Sequence, residues 1–538
     1  MKLCMAQANT FVGDWQGNAD KILAVCQQAA VEHPATVVVF PELTLTGYPP
    51  EDLLLRPQVA QRTDEVLQRL CRELPAELWV IVGYPRLTER GLCNTAGVIH
   101  GGQIVGEYHK QQLPNYQVFD EVRYFVPGDS PLVVDIAGTP VGITICEDIW
   151  SPTPAARAQA AGAKLLINLN ASPFHRGKRE QRHDLVALRA KENGFPVVYV
   201  NQSGAQDELV FDGGSFAVNA NGELAVAAPE FEEGCWWLDI EPGKVPRIGD
   251  GEKAPALDDL AAVWQALVVG VRDYVNKNGF PGVILGLSGG IDSAVTLAVA
   301  VDALGADRVH AVMMPFRYTA SMSIEDAEEE ARILGVEYRA ISIEPIYESF
   351  MAALADEFAG LPTNITEENL QARARGVLLM SISNKKHLLV LTTGNKSELA
   401  VGYSTLYGDM AGGFDVLKDC PKMLVYALAN YRNSVSACIP ERVITRPPSA
   451  ELAPDQKDQD SLPPYEVLDA IIECYVERDM SPAEIEAEGF AKEDINRVVR
   501  LIDLNEYKRR QAPVGVRITQ RGFGRDRRYP ISWSWRNP

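Results

Sequence analysis

The segment VILGLSGGIDSA, around Ser288, limits more than any other stretch how this chain can fold. An apolar run of strand type ends in a glycine–serine loop, and an apolar stretch of helical type follows at once. Gly289 and Gly290 let the backbone turn its N–H groups inward, and the following helix points its positive end at the same place. The loop therefore suits a phosphate group, although the Walker A pattern G-x-x-x-x-G-K-[ST] is absent.

The residues around this loop repeat the order of strand and helix. Strands are predicted at residues 283–287, 309–314, 338–343 and 387–392. Helices are predicted at residues 260–278, 293–304 and 324–334. This order predicts a doubly wound, Rossmann-like parallel sheet, with ligands at the carboxyl ends of its strands. The loops at Ser288, Met314 and Thr393 then lie at that edge.

The first half of the chain mixes short strands, rich in valine and isoleucine, with amphipathic stretches. Strands are predicted at residues 2–8, 36–40, 78–83, 96–100, 141–145, 165–170, 196–201 and 215–218. Helices are predicted at residues 17–31 and 178–193, and GVIHGGQIVGEYH is predicted to form a hairpin. This half is therefore also predicted to be α/β, with sheets covered by helices.

A length of 538 residues favours more than one domain. The segment IEPGKVPRIGDGEKAPALDD is rich in proline, glycine and charge, which is typical of a linker. We predict a first domain at residues 1–245, a linker at 246–260 and a second domain at 261–538. Residues 446–464 are predicted to form a mobile loop from their composition.

The composition argues against several classes of protein. A formal net charge of -21 argues against nucleic-acid binding, and the one basic cluster, residues 517–528, is interpreted as a solvated or interface-packing tail rather than a phosphate contact. No apolar run is long enough for a membrane span, and MKLCMAQANTFVGDW is interpreted as a first strand rather than a signal peptide. Nine scattered cysteines without a C-x-x-C pair fit the cytoplasm.

Three reactive side chains each follow an apolar strand in the first half. They are Glu42 in VVVFPELTLTGY, Lys110 in IVGEYHKQQLPNY and Cys146 in VGITICEDIW. If those strands are neighbours, the side chains meet at one rim. Lys110 would then ease the loss of the Cys146 proton, and Glu42 could accept it as a general base. The alternative is structural: a capping glutamate, a solvated lysine and a cysteine buried as a small apolar residue.

A second polar loop, TTGNKSE, follows another strand of the predicted parallel sheet. Lys396 would suit a phosphate and Glu398 a metal ion, although a capped helix start would explain this segment on its own. Asp292 in the first loop would repel phosphate unless Mg²⁺ neutralised it. The later loop YSTLYGDMAGGFDVLKDCPK could cover a ring-bearing substrate or form surface turns.

Together SGGIDS, EENLQARAR and TTGNKSE resemble the NAD synthetase branch of the ATP pyrophosphatase family. The resemblance implies that ATP adenylates the nicotinate carboxylate of deamido-NAD, and that ammonia then displaces AMP. It implies Mg²⁺ at Asp292 and Glu398. The implied ATP-binding residues are Gly286, Leu287, Ser288, Gly289, Gly290, Ile291, Asp292, Ser293 and Thr393. The implied deamido-NAD-binding residues are Asn369, Arg373, Glu398 and Lys508.

The flanks PELTLTGYPPEDL, HKQQLPNYQVFDEVRYF and CEDIW resemble the nitrilase, or carbon–nitrogen hydrolase, superfamily over about the first 230 residues. The likeness is closest to glutaminase domains fused to NAD synthetases and implies an α-β-β-α sandwich. It implies Glu42 as base, Lys110 as oxyanion stabiliser, Cys146 as nucleophile and Glu121 as a further acidic residue of the site. The implied glutamine-binding residues are Tyr116, Phe119, Glu147, Ser172 and Lys178.

Both resemblances together imply an enzyme that amidates deamido-NAD to NAD with ammonia from L-glutamine, in the last step of NAD biosynthesis. AMP, pyrophosphate and glutamate are the other products. The expected partners are these small molecules, without nucleic acid or membrane, and a homo-oligomer is expected. Three alternatives stay open at this point: a glutamine-fed synthetase for another substrate, a binding protein with an inactive amidase scaffold, and a nitrilase with an unrelated appendage.

Overall fold

A computed structural model describes residues 1–33, 36–448, 451–453 and 462–534 of the chain. They divide into two compact units, Met1–Ala262 and Val263–Pro538. All nine cysteines lie in the described residues and have free thiols. None of the described helices is both long enough and apolar enough to cross a membrane.

The first unit is built from strands and a few helices. Its strands are β1 (Lys2–Gln7), β2 (Thr36–Val39), β3 (Trp79–Thr88), β4 (Gly91–His100), β5 (Gln103–His109), β6 (Leu132–Ile136), β7 (Thr139–Ile145), β8 (Leu165–Asn170), β9 (Val197–Asn201), β10 (Ser203–Gln206), β11 (Leu209–Asp212), β12 (Phe216–Val218), β13 (Leu224–Ala227), β14 (Gly234–Glu241) and β15 (Arg247–Ile248). Its helices are α1 (Trp15–Glu32), α2 (Gln58–Glu73), α3 (Pro152–Ala160) and α4 (Lys178–Asn193), and α5 (Asp259–Lys277) follows.

Two mixed sheets of this unit face each other. The first sheet has the strand order β15-β14-β1-β2-β3-β4-β5, and the second has the order β13-β12-β9-β8-β7-β6. Their inner faces share one apolar core, in which Val39 and Ile81 of the first sheet pack with Ile143 and Ile167 of the second. Helices α1 and α2 pack on the outer face of the first sheet, and α3 and α4 on that of the second. The result is the predicted α-β-β-α sandwich.

Several sequence predictions can be compared directly with these elements. Strand β8 and helix α4 have the predicted bounds, and the predicted hairpin is formed by β4 and β5. Within the predicted linker, however, Arg247–Ile248 forms the edge strand β15 and pairs with β14. The composition of the segment concealed this strand because it is only two residues long.

The second unit contains a parallel sheet with the order β18-β17-β16-β19-β20. Its strands are β16 (Val283–Gly286), β17 (Val309–Met313), β18 (Glu337–Ala340), β19 (Leu389–Thr392) and β20 (Phe414–Asp415). The helices after α5 are α6 (Ile291–Leu304), α7 (Ser321–Leu334), α8 (Glu344–Ala353), α9 (Ile365–Lys386), α10 (Lys396–Val401), α11 (Lys422–Val435), α12 (Glu441–Thr445), α13 (Tyr465–Ile472), α14 (Pro482–Ala487), α15 (Lys492–Leu504) and α16 (Glu506–Arg509). Because the sheet extends from β16 to both sides, the loops after β16 and β19 lie at a switch point, where ligands bind.

The basic tail packs against the second unit. Arg517 donates to Asp526 at 2.6 Å, and the backbone N–H groups of Ile518 and Thr519 donate to Asp419. This agrees with the interpretation of residues 517–528 as a packing tail. Of the predicted mobile loop at 446–464, residues 449–450 and 454–461 lie outside the described residues.

One buried side chain of α7 predicts how stability varies with pH. Both carboxylate oxygens of Glu330 are buried without a hydrogen-bond partner among the described residues. Burial, together with the charge of Asp326, raises the pKa of Glu330 from 4.5 to about 8. The folded protein therefore binds this proton more tightly than the unfolded chain does. The stability that proton binding by Glu330 contributes is fully present below the pKa of the carboxyl in the unfolded chain, and it is lost as pH rises towards 8.

We expect Glu330→Gln to increase the free energy of unfolding by about 2–4 kcal/mol near neutral pH, with no gain near the unfolded pKa of the carboxyl. Calorimetric melting at both pH values measures the effect, and Glu328→Gln, at an exposed position of the same helix, is the matched control. A Glu330→Gln protein whose melting shifts with pH as the wild type does would contradict the expectation.

Candidate functional site

The three candidate catalytic residues of the first unit lie at the rims of two facing sheets. Glu42 and Lys110 follow β2 and β5 of the first sheet, whereas Cys146 follows β7 of the second. These strands are not adjacent to one another within a single sheet. The facing of the sheets brings the residues together instead, and each of them is buried.

Lys110 is the centre of this cluster. Its ammonium group donates to Glu42 Oε1 at 2.6 Å and to Glu121 Oε1 at 2.8 Å. Burial by itself would lower the pKa of Lys110, but the charges of Glu121 and Glu42 outweigh burial and raise it well above the ordinary value. Lys110 is therefore charged, and one of its three N–H donors is left for a substrate oxygen.

The two carboxylates around Lys110 are held in different ways. Glu42 Oε1 also accepts from Asn94 at 2.7 Å, and Glu42 Oε2 accepts from the backbone N–H of Ala171 at 3.1 Å. Glu121 accepts from the Tyr48 hydroxyl at 3.2 Å, and burial raises the pKa of Glu121 to about 7 although Lys110 opposes the shift. Glu42 is thus fixed in position, while Glu121 can change its protonation near neutral pH.

The thiol of Cys146 is not a ready thiolate. Burial and the charge of Glu42 raise the pKa of Cys146 well above its ordinary value, and the opposing effect of Lys110 is smaller. The effect of Lys110 therefore has the expected direction, but burial and Glu42 decide the net shift. Cys146 also has a φ of +43°, in the left-handed region that a side chain disfavours. Attack by this sulfur therefore requires a base, and Glu42 is the carboxylate whose charge affects it most.

Asp148, which the sequence analysis did not single out, ties the Cys146 turn to the Lys110 segment. Its carboxylate accepts from the backbone N–H groups of Gln111 at 3.0 Å and Gln112 at 2.8 Å, and from the Tyr108 hydroxyl at 2.8 Å. It also accepts from Ile145 N at 3.0 Å. The motif CED could have revealed it, since a second buried acid directly after a nucleophile needs such donors.

The residues predicted to bind glutamine form two groups. The Tyr116 hydroxyl donates to both oxygens of Glu147, at 3.0 and 2.9 Å, and the Tyr116 ring meets Phe119 edge-on at 5.7 Å. Lys178 lies 3.9 Å from the ring centre of Trp150 and lowers the pKa of Glu147, which burial raises.

Ser172, the remaining predicted residue, is buried. Its hydroxyl accepts from Arg182 at 3.2 Å, and its N–H donates to Asn201 at 2.9 Å. Ala171, the residue before it, donates to Glu42, so the Ser172 segment adjoins the catalytic cluster.

Gly289 determines the form of the loop after β16. Gly289 has a φ of +76°, and a Cβ atom there would lie 2.2 Å from the carbonyl oxygen of Ser323, so only glycine fits. The N–H groups of Ser288 and Gly290 donate within the loop to the Ser293 and Ser288 hydroxyls, both at 3.2 Å. Ile291 begins α6 directly behind the loop, so the positive helix end faces it.

The two predicted metal ligands lie on either side of one lysine. Lys422 donates to Asp292 at 2.5 Å and to Glu398 at 3.2 Å, and these two charges raise its pKa although burial opposes them. No cluster of three or more histidine, cysteine or acidic ligands occurs among the described residues. Two convergent carboxylates nevertheless fit Mg²⁺, which takes its remaining ligands from phosphates and water. Lys422 is not among the site residues predicted from the sequence.

The prediction that Lys396 binds a phosphate is wrong. Its side chain is fully buried and donates to Glu477 at 2.7 Å and to the Thr519 hydroxyl at 2.8 Å. It also pairs with Asp419 at 2.9 Å. A lysine at this position suits a phosphate by its charge, but the sequence does not indicate in which direction its side chain points from the first turn of α10.

Two cavities open beside these loops in the second unit. The loop cavity, of about 240 Å³, is lined by Gly286, Leu287, Ser288 and Thr393 among others. The helix cavity, of about 430 Å³, is lined by Asn369, Arg373 and Lys508 among others.

Arg375 and Asp409 line both cavities, whereas Glu398 lines neither. A groove of about 580 Å³ in the first unit, at Asn219, Arg247 and Lys253, includes no predicted site residue.

Comparison with known proteins matches both units to families. Residues 2–248 match the family described as carbon–nitrogen hydrolase, and residues 263–512 match the family described as NAD synthase. The chain is 51% identical to the glutamine-dependent NAD(+) synthetase of Acinetobacter baylyi and 42% identical to that of Aquifex aeolicus, covering 99% of both chains in each case.

Two solved structures extend over nearly the whole chain. One is that of a glutamine-dependent NAD+ synthetase from Acinetobacter baumannii in complex with ADP, with a TM-score of 0.81, 48% identity and 98% of both chains covered. The other, from Cytophaga hutchinsonii, has a TM-score of 0.86 at 22% identity, with 99% of this chain and 98% of that chain covered, and shows the same fold.

The electrostatics of Cys146 lead to a prediction of its reactivity. Because the charge of Glu42 raises the pKa of the thiol, Glu42→Gln should lower the midpoint of the pH–rate profile for alkylation of Cys146 by iodoacetamide. Mass spectrometry of the Cys146 peptide follows the rate, and Cys93, whose raised pKa does not depend on Glu42, is the internal control. A midpoint that stays the same or rises in the variant would refute the role of the Glu42 charge.

Proposed function

The chain belongs to the glutamine-dependent NAD(+) synthetases, and on that premise we propose how its two sites divide the reaction. The first unit hydrolyses L-glutamine to glutamate and ammonia. The second unit uses ATP and that ammonia to amidate deamido-NAD to NAD, which is the last step of NAD biosynthesis. The observation that carries this assignment is the occurrence in one chain of a buried Glu42–Lys110 cluster at a cysteine and a glycine–serine loop at a cavity.

In the proposed glutaminase reaction, the Cys146 sulfur attacks the side-chain carbonyl carbon of glutamine while Glu42 accepts the thiol proton. The free N–H donor of Lys110 binds the developing oxyanion, and one such donor contributes on the order of 10²–10³ in rate. The intermediate collapses to a thioester, and ammonia leaves with the proton from Glu42. Water then attacks the thioester with Glu42 again as base, which releases glutamate and restores the thiol.

The proposed glutamine pocket consists of Tyr116, Phe119, Glu147, Ser172 and Lys178. Glu147 suits the α-ammonium group of glutamine, because its carboxylate is already oriented by the Tyr116 hydroxyl. Lys178 suits the α-carboxylate. Glu121 serves Lys110 rather than the substrate, since it accepts one of the lysine's N–H bonds.

In the proposed synthetase reaction, ATP occupies the loop cavity and the nicotinate end of deamido-NAD the helix cavity. Residues Gly286–Ser293 and Thr393 hold ATP, and Asn369, Arg373 and Lys508 hold the dinucleotide. A carboxylate oxygen of the nicotinate attacks the α-phosphorus of ATP, and pyrophosphate leaves. Ammonia then attacks the acyl carbon of this adenylate, and AMP leaves.

We propose that Asp292 and Glu398 hold Mg²⁺ when ATP is bound. The metal would neutralise phosphate charge beside the two carboxylates. Support comes from their convergence on Lys422, because a site that holds one cation between two carboxylates is built for positive charge. Glu398 was also expected to contact deamido-NAD, and we retain that role as a proposal.

We also propose the domain bounds, the oligomeric state and the cellular location of the protein. We assign the glutaminase domain to residues 1–245, the linker to 246–260 and the synthetase domain to 261–538, and the division near residue 262 supports the start of the last of these. We expect a cytoplasmic homo-oligomer that binds neither nucleic acid nor membranes. Free thiols throughout the chain and a formal net charge of -21 are in keeping with the cytoplasm and with the absence of nucleic acid.

Separation of the two activities is the main test of this function. Cys146→Ala should reduce glutamine-dependent NAD formation at least about 10³-fold, since the nucleophile is lost. The same protein should form NAD from ammonium salts, ATP and deamido-NAD at a rate within about twofold of the wild type. NAD, AMP and pyrophosphate are measured together with glutamate.

Cys71→Ala, at a partly exposed cysteine far from this cluster in sequence, is the control for loss of a thiol. If Cys146→Ala abolished NAD formation from ammonium as well, the division of labour would be wrong. Absence of glutamate release by the wild type would favour the inactive-scaffold alternative.

Removal of divalent metal tests the Mg²⁺ proposal separately. In excess chelator we expect pyrophosphate and NAD formation to stop, because the phosphates would then face Asp292 and Glu398 unneutralised. Release of glutamate should continue, since no metal takes part in thiol catalysis there. Added Mg²⁺ should restore NAD formation, and undiminished NAD formation in chelator would contradict the proposed metal site.

A further inference from the structure

Arg375 lies where the two cavities of the second unit meet. It is on α9, two residues after Arg373, and its side chain lines both the loop cavity and the helix cavity. Arg373, by contrast, lines only the helix cavity, and its Nε donates to the carbonyl of Leu406 at 3.2 Å. Of the basic residues of α9, Arg375 is therefore the one placed to reach ligands in both cavities.

The guanidinium of Arg375 is only partly used by the protein. Its Nε donates to the carbonyl oxygen of Met314 at 3.1 Å, which anchors the side chain at the end of β17. Its two terminal nitrogens donate to no acceptor in the part of the chain that the structure describes. The carboxylate that influences it, Glu451, accepts instead from the backbone N–H of Ala320 at 3.2 Å and from the Ser323 hydroxyl at 2.6 Å.

Burial of a charge without a bonded carboxylate is unfavourable. The burial of Arg375 lowers its pKa to about 10, and the charge of Glu451 offsets this only in part. The group still carries its positive charge at neutral pH. A forked donor that is anchored at Nε and free at both terminal nitrogens has the form that binds phosphate or carboxylate oxygens in pairs.

We propose that Arg375 is a catalytic residue of the adenylation step, contacting the α-phosphate of ATP and the attacking carboxylate of deamido-NAD at the junction of the two cavities. The inference rests on the proposed function, which places one anionic substrate in each cavity. One terminal nitrogen then binds the α-phosphate and the other the nicotinate carboxylate, so that the two anions approach despite their repulsion.

The step that Arg375 assists transfers no proton. A bond forms between a carboxylate oxygen and the α-phosphorus, and the bond from that phosphorus to the oxygen bridging to the β-phosphate breaks. Pyrophosphate leaves with the electron pair of that bond. Negative charge grows on the α-phosphate oxygens as the new bond forms, and a fixed guanidinium stabilises this charge more than that of the separate substrates.

Isotope exchange between pyrophosphate and ATP isolates this step, because it requires deamido-NAD but no ammonia. For Arg375→Met we expect the exchange rate to fall on the order of 10²–10³-fold, with KM for ATP and for deamido-NAD changed much less. The melting temperature without substrates should stay the same or rise, because a half-buried charge without a bonded carboxylate is removed. Lys385→Met, at an exposed position of the same helix, should exchange at the wild-type rate.

Arg375→Gln separates catalysis from a structural role. Glutamine keeps an N–H donor for the Met314 carbonyl but carries no charge. It should therefore exchange as slowly as Arg375→Met, and it remains informative if the methionine variant does not fold. Recovery of exchange in Arg375→Gln, or exchange by folded Arg375→Met within a few-fold of the wild type, would overturn the proposal. If the wild type itself shows no exchange that depends on deamido-NAD, the proposed function fails, and that result is independent of Arg375.

Discussion

The carboxylate of Asp148 is the interaction on which the first site depends. It connects the turn that carries Cys146, at the end of the second sheet, with the Lys110 segment at the end of the first sheet, through the Tyr108 hydroxyl before Lys110 and the backbone N–H groups of Gln111 and Gln112 after it. Apolar packing between facing sheets fixes the distance between them but only weakly fixes how far one sheet is shifted along the other. The hydrogen bonds of 2.8–3.0 Å to Asp148 are directional and therefore fix that shift. Burial raises the pKa of Asp148 to about 6, and the backbone bonds to Ile145 and Gln112 oppose that shift. Near neutral pH the group is therefore mostly an acceptor-only carboxylate, as all its donors require.

Buried lysines between two carboxylates recur in both units. Lys110 lies between Glu42 and Glu121, Lys422 between Asp292 and Glu398, and Lys396 between Asp419 and Glu477. Each trio has one excess negative charge if all its members are ionised. Their surroundings decide what each trio can do.

The Lys396 trio is enclosed by the chain, because the Thr519 hydroxyl takes a further N–H of the lysine. It therefore serves to attach the tail. The Lys110 trio keeps one N–H donor and includes a glutamate that titrates near pH 7, so it can respond to charge that develops on a substrate. The same arrangement of charges thus supports structure in one place and reaction chemistry in another.

Features that depend on residues close together in the chain could be predicted from the sequence, whereas features that depend on contacts between distant segments could not. The periods of apolar residues predicted β8 and α4 with their observed bounds. The position of Glu42, Lys110 and Cys146 after apolar strands indicated them as candidate catalytic residues. Such patterns act over a few neighbouring residues. The pairing of Lys396 with Glu477 rather than with a phosphate, and the link from Asp148 to Gln111, depend on segments distant in the chain. The net pKa of Cys146 likewise depends on distant segments, because burial raises it more than Lys110 lowers it.

The places where local rules fail are also the places where chemistry is expected. Cys146 takes a left-handed φ that a glycine would adopt with less strain, and its thiol is buried beside a carboxylate that disfavours the thiolate. Arg375 holds a charge in a largely buried position with its terminal nitrogens unbonded within the described chain. Neither arrangement favours folding, so the surrounding packing must supply the stability that they remove. In both cases a ligand relieves the unfavourable interactions of the group. For Cys146 the ligand is a carbonyl carbon that bonds to the sulfur, and for Arg375 it is the anions that accept hydrogen bonds from the free N–H donors. Stability given up in the unliganded protein in this way becomes binding energy in the reacting complex.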